Sequence, residues 1–140
     1  MTFIVLIYQT RKEGLTPQEF RDGMENISIP WMDGFTKLHK PVSFTRHYPV
    51  RLSSELGQRF AAVSAIPQDP NNDAPVVLIG ETKDIDWDVM IKAVYRDELH
   101  LQQYLAWVNE PDHAEQIAKC EEAYADPTRL KVVVIGEADD

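Results

Sequence analysis

Phe3-Ile4-Val5-Leu6-Ile7-Tyr8-Gln9, residues 3 to 9, is a run of β-branched, aliphatic and aromatic residues that is apolar on both of its alternating sides. Phe3, Val5 and Ile7 share one side and Ile4, Leu6 and Tyr8 the other, the period-2 pattern of a strand covered on both faces. The run is far shorter than the roughly 20 residues that cross a bilayer. It carries no basic leader or small-residue cleavage site and is read as a strand. The stretch from Lys131 to Gly136 repeats the pattern near the other end of the sequence. A sheet that contains both strands needs a packed layer on each face.

Working outward from the first strand, Thr16-Pro17-Gln18-Glu19 is a capping box with proline at the first helical position. It opens a helix with Phe20, Met24, Ile27 and Trp31 at helical spacing, which Asn26 and Ser28 bring toward its end. Pro41 precedes a strand over Val42 to Val50, with Val42, Phe44, Tyr48 and Val50 on one face and Ser43, Thr45 and His47 on the other, polar one. Residues 51 to 86, broken by Pro67, Asp69-Pro70-Asn71-Asn72-Asp73 and Pro75, read as an elaborated connection. A third strand follows, alternating from Trp87 to Arg96. Asp97 caps a helix carrying Leu101, Tyr104, Leu105 and Val108. Pro111 then starts another helix through Ala114, Ile117, Ala118 and Glu121, which Asp126-Pro127 ends. The order β, α, β, long connection, β, α, α, β predicts a single α+β domain over residues 1–140 with the ferredoxin-like βαββαβ arrangement. The helices cover one sheet face, so the bare face is expected to meet its copy in a twofold homodimer.

At 140 residues, 44% hydrophobic and 26% charged, the chain has ordinary single-domain proportions. Its one cysteine, Cys120, excludes an intramolecular disulfide and suits a reducing compartment, so a cytoplasmic location is expected. A net charge of −9 disfavours nucleic acid and anionic membrane surfaces as partners. The sequence has no cysteine pair, His-Glu-x-x-His, Gly-x-Gly-x-x-Gly, Walker loop or Gly-x-Ser-x-Gly. Neither a metal site nor a cofactor is therefore expected from spacing, and chemistry falls to ordinary side chains in a buried pocket.

Among those side chains His47 comes first, a group that titrates near neutral pH, flanked on its strand face by Ser43 and Thr45 and expected in a polar pocket beneath the helices. A half-exposed strand histidine is its plainer role. Arg46, on the opposite face, suits a substrate carboxylate through its rigid donor fork, or else a salt bridge at a rim or dimer contact. His113, in the first turn of its helix, is a candidate base or donor, although it and His100 more often lie at a surface. His39, within Lys37-Leu38-His39-Lys40, reads as solvated. Tyr8 and Trp31 are expected as pocket walls for a flat ligand, and Cys120 as a packing residue.

The run Leu15-Thr16-Pro17-Gln18-Glu19-Phe20, then Glu25-Asn26-Ile27-Ser28-Ile29-Pro30, then Phe44-Thr45-Arg46-His47-Tyr48 resembles the EthD-like members of the dimeric α+β barrel superfamily. Ile117-Ala118 through Cys120-Glu121-Glu122, Tyr124, Asp126 and Val132-Val133-Val134-Ile135-Gly136-Glu137 is similar to that family's closing helix and strand. The resemblance covers most of the chain. It is closest to small fungal proteins that tailor aromatic polyketides, the atrochrysone carboxylic acid decarboxylase type. Related barrels include polyketide cyclases, lactone isomerases, cofactor-free anthrone oxygenases and haem-degrading oxygenases, so the fold alone does not select a function. Where such proteins commonly read His-Ile-Pro or His-Val-Pro, this chain has Ser28-Ile29-Pro30. Where they usually carry an Asp-Glu pair, it has Cys120-Glu121. The chemistry has either moved to other residues or been lost. Ser28 and Asn26, at the family's histidine position, are expected at the pocket mouth, bonding a phenol or carbonyl, or else capping the helix end.

The resemblance implies a cofactor-independent enzyme, a lyase that decarboxylates an aromatic or poly-β-keto carboxylic acid or cyclises and dehydrates it. In that expectation His47 moves the proton, His113 or Tyr8 donates to the enolate oxygen, and Arg46 or Ser28 places the carboxylate, with Asn26, Thr45 and Trp31 as further binding residues. The alternatives are a cofactor-free anthrone-type oxygenase and a non-catalytic ligand-binding accessory protein.

Overall fold

The computed structural model describes residues 1–136 of the chain, so Glu137 in the closing motif lies outside the described residues. The doubly apolar run forms β1 (Phe3–Gln9). It lies inside a four-stranded antiparallel sheet whose order is β2-β3-β1-β4, with β2 at Ser43–His47, β3 at Val89–Tyr95 and β4 at Lys131–Gly136. This is the ferredoxin-like α+β arrangement that the element order predicts. The register pairs Ile7 with Ile91 and Val132, and Arg46 with Ile91, so these four share the helix-covered face. Tyr8, Met90 and His47 line up on the other face, because a one-residue step along a strand reverses the side.

Thr16 opens α1 (Pro17–Gly23) with both bonds of the capping box formed. The helix does not end at Asn26 and Ser28, as the sequence suggests, but widens into a π-helical turn over Met24–Ser28 and continues as α2 (Ile29–Phe35). Pro30 explains the widening. It has no N–H for the Asn26 carbonyl four residues back, and its ring would press on that carbonyl in regular α geometry. The extra residue in the turn shifts the facing positions. Ser28 is buried beside Met24, while Ile27, expected on the core side, is 58% exposed.

The strand expected over Val42 to Val50 ends at His47, two residues before Pro49, which has no ladder N–H to offer. The connection after it contains a helix that the sequence pattern did not single out, α3 (Glu55–Val63), capped by Ser54. Gly57 lets this helix sit on the preceding loop, since a Cβ there would collide with the Arg51 carbonyl oxygen. Buried Asp88 ties the insertion to the sheet, accepting from Arg51 at 2.6 Å and from the Arg11 backbone N–H at 2.7 Å. Helices α4 (Glu98–Val108), capped by Asp97, and α5 (Pro111–Glu121) complete the helical layer. No helix among the described residues is long and apolar enough to cross a membrane.

The core lies between that layer and the sheet. One cluster gathers Phe20, Met24, Val89, Ile91, Tyr124 and Ala125, and a second Val5, Ala93, Tyr95 and Leu101. The outer sheet face carries Ile4, Leu6 and Tyr8 only half-buried, with Val133 46% and Ile135 39% exposed. Apolar area left in water on this scale forgoes about 25 cal/mol per Å², which favours a second copy over this face. Light scattering on the purified chain at micromolar concentration is therefore expected to give twice the chain mass, and Leu6→Asp to shift the mass toward one chain. A wild-type monomer would remove the dimer.

Candidate functional site

Beneath the helices the packing is incomplete. A cavity of about 980 Å³ lies between the inner sheet face and the helical layer. Its floor is Ile7, Phe44, Ile91 and Val132, and its roof includes Met24, Ser28 and Met32. The far wall is α4 and α5, with Tyr104, Leu105 and Val108 from the first and Ala114, Ile117, Ala118 and Glu121 from the second. Ala114, Ile117, Ala118 and Glu121 recur at helical spacing, yet no residue of α5 is buried. The inward stripe of α5 faces open space instead of partner side chains. Protein interiors fill to crystal-like density, so a void of this size with a built wall is the form of a small-molecule site.

The polar groups of the wall come from three elements. Burial pushes the Glu121 carboxyl above the ordinary carboxylate range, and the side chain of Gln9, at the inner end of β1, works against that shift by hydrogen bonding. Tyr124 follows α5 and is buried under α1, where a Cβ on Gly23 would stand 3.0 Å from its own Cβ. Burial raises the Tyr124 phenol, with Ser28 acting in the opposite direction, so the ring keeps its proton and remains a donor. Ser28 itself is buried, its Oγ 3.6 Å from the Cys120 sulfur. Tyr104, likewise raised by burial, is another protonated phenol on the wall. The site offers one carboxyl raised by burial, hydroxyl groups on the same wall and an apolar floor. Among the described residues no group of three or more His, Cys, Asp and Glu is placed to hold a metal ion.

Of the residues singled out from the sequence, Ser28 is on the cavity wall, inside it and not at its mouth. His47 and Thr45 are exposed on the outer sheet face, joined by a 3.1 Å contact between His47 Nε2 and Thr45 Oγ1. The pocket expected around His47 is therefore on the other side of its strand, where Phe44 and Arg46 point. Tyr8 is also on the outer face, its ring 5.4 Å from that of Trp87. Arg46 is on the inner side but engaged. Its Nε and Nη2 donate to Glu25 at 3.1 and 2.9 Å, and the Tyr48 hydroxyl donates to the same carboxylate at 2.8 Å. The Arg46 fork holds Glu25 below its ordinary range, and Arg46, held in that bidentate pairing, does not line the cavity.

Trp31 and His113 meet in an aromatic cluster away from the cavity. Trp31 stacks on Phe35 at 4.5 Å, and His113 lies 4.2 Å from the Trp107 ring while its Nδ1–H donates to the Trp107 carbonyl at 2.7 Å. His39, expected to be solvated, packs on the same tryptophan at 5.4 Å. His100 is buried, accepting from the Arg96 N–H and donating to the Lys40 carbonyl, which fixes its neutral tautomer. Asn26 is exposed. Glu121 and Gln9 were the groups the sequence reading passed over as chemistry. A carboxyl on the apolar stripe of α5, and an amide closing the inner apolar file of β1, are the signals that mark them.

A sheet with helices on one face and a large cavity between the layers defines a ferredoxin-like α+β domain. The chain matches the EthD domain over residues 12–128 and belongs to that family. It is similar in fold to an ethyl tert-butyl ether D (EthD) family protein of Bacillus halodurans C-125, at 14% identity and a TM-score of 0.53, with 99% of this chain and 100% of that one covered. It is similar as well to a protein of Arabidopsis thaliana, at 12% identity and a TM-score of 0.51, with 100% and 98% covered. No curated protein matches the sequence.

Two outcomes follow. A carboxyl raised by burial favours a protonated folded state, so its contribution is whole below the unfolded value, near about pH 4.3, and is lost as pH rises through the folded one. Melting curves of wild type and Glu121→Gln should lie close together in acid and separate as pH rises, with the variant the more stable; parallel curves would refute the shift. Arg46→Met should cost about 1 kcal/mol by breaking the Glu25 pair, yet leave ligand affinity as it was. Lost affinity would return Arg46 to the site.

Proposed function

We propose that this chain is a cofactor-independent tailoring enzyme of the lyase class for an aromatic or poly-β-keto carboxylic acid of polyketide type, with Glu121 as the proton-transfer group in place of the expected histidine. The observation that carries the reading is a carboxyl raised by burial in the wall of a largely apolar cavity of about 980 Å³. Ligand pockets commonly span about 300–1,000 Å³, so the upper end suits a fused-ring substrate.

The chemistry asks for little else. In decarboxylation the bond to the carboxyl carbon breaks, carbon dioxide leaves, and the electron pair passes to the neighbouring ketone oxygen as an enolate. Protonated Glu121 then delivers a proton to the carbon. In an aldol closure ionised Glu121 takes a proton from the carbon between two carbonyls, and the new alkoxide takes one back before water departs. Hydroxyls of the Tyr124 and Ser28 kind, held in a site shielded from water, stabilise the oxyanion of either route. A carboxyl moved up toward the working pH serves as acid and as base.

None of the four histidines lines the cavity, which favours a second reading, a ligand-binding accessory protein without turnover. A panel of aromatic polyketide acids mixed with the protein, with and without oxygen, and followed by mass spectrometry separates these. Loss of carbon dioxide or water without oxygen is expected, with Glu121→Gln about 10²- to 10⁴-fold slower and His47→Ala at full rate. Binding with no product would establish the accessory role, and oxygen-dependent gain of mass an anthrone-type oxygenase.

A further inference from the structure

Gln9 is the last inner-face residue of β1, paired in register with Val89 of β3, and its carbonyl accepts from the Asp88 N–H at 2.8 Å. Its backbone is thus fixed, and its side chain, 5% exposed, forms part of the cavity wall beside Glu121. The amide is half satisfied. Its Oε1 is buried with no hydrogen-bond partner, and of the described residues only Arg11 Nη1 shares that condition. The Arg11 atom still has Asp88 at 3.6 Å as an ion-pair partner, whereas Gln9 Oε1 has neither bond nor charge. A buried acceptor without a donor is costly and uncommon in native proteins, and as the side chain is placed no donor of the chain reaches this oxygen.

On the strength of the ligand site proposed above, we infer that Gln9 is a specificity-determining residue, its side-chain amide closing on a hydroxyl group carried by an aromatic or enolic ring. No bond occupies the oxygen, so it accepts from a ligand where it stands, while the rest of the amide keeps its hydrogen bond to Glu121. The hydroxyl so held stands next to Glu121, which places the oxygen-bearing end of the ring at the proton-transfer group. Charge sets the direction of entry. Besides Glu121 the wall carries Lys12 and Lys119 against Glu13, Glu115, Glu122 and Asp126, with Lys119 paired to Glu115 at 3.1 Å, so it is net negative and favours a neutral hydroxylated end going in. The ligand class is therefore a neutral-headed phenol or enol, and the ring without its hydroxyl leaves the amide unpaired.

Isothermal titration of the intact protein with 2-hydroxyanthraquinone and with anthraquinone, in mildly acidic buffer that keeps the phenol protonated, tests this. Wild type should prefer the hydroxylated ring by about tenfold. Gln9→Met, close in shape but without the amide, should bring the two affinities together while still binding anthraquinone. Gln9→Leu serves the same comparison if the methionine variant fails to fold. A preference that survives either substitution overturns the role of Gln9, and so does equal binding of both rings by wild type, although the ligand site then stands. Failure of wild type to bind either ring overturns both.

Discussion

The position of β1 between β3 and β4 is the constraint from which the rest of this structure follows. Both its neighbours are hydrogen-bonded along almost its whole length, so its side-chain parity cannot slip without moving the entire sheet. That parity sends Phe3, Val5, Ile7 and Gln9 to the helices and Ile4, Leu6 and Tyr8 to the outside. Every other strand inherits the choice through the ladder. Arg46 faces in and His47 faces out because their partner Ile91 pairs with Ile7 and their partner Met90 pairs with Tyr8.

The inner layer then carries three costs that stability alone would not select. The α5 stripe meets a void, and a half-buried carboxyl at its end is raised by desolvation with no cation offsetting it. An amide on the neighbouring strand is left with an unpaired oxygen. Each is destabilising on its own terms, and all occur at one place. Natural chains retain such features where binding or catalysis uses them. The contrast is with the Glu25, Arg46 and Tyr48 set and with Asp88, where charged groups of comparable burial have their partners within the chain. Those sets hold elements together, and the Gln9 and Glu121 wall is what remains open.

The helical path shows how one residue changes a site. Pro30 widens the turn before it, and the widening moves the buried position from Ile27 to Ser28. A serine hydroxyl thereby reaches the cavity next to Tyr124 and Cys120, while an apolar side chain is left in solvent. Regular helical spacing cannot anticipate the exchange, because it assumes 3.6 residues per turn throughout.

Local chemistry determined much of this protein from sequence alone. The capping box at Thr16, the cap at Asp97, the doubly apolar β1 and the spacing of α4 and α5 are set by neighbouring residues, and the structure contains all of them; β4 forms where its pattern predicts, but as an edge strand exposed along its length and not covered on both faces. Ser28 was legible as a cavity residue only through the resemblance, which puts it at the family's histidine position. The face of the sheet that bears the cavity was not legible, because alternation names two faces and does not say which one the helices cover. Only the packed layers decide that, and they turned His47, Thr45 and Tyr8 outward. The site itself was decided by tertiary structure for the same reason. Gln9, Glu121 and Tyr124 are far apart along the chain or on different elements, and the burial that raises a carboxyl or strands an amide exists only once those elements enclose a common space.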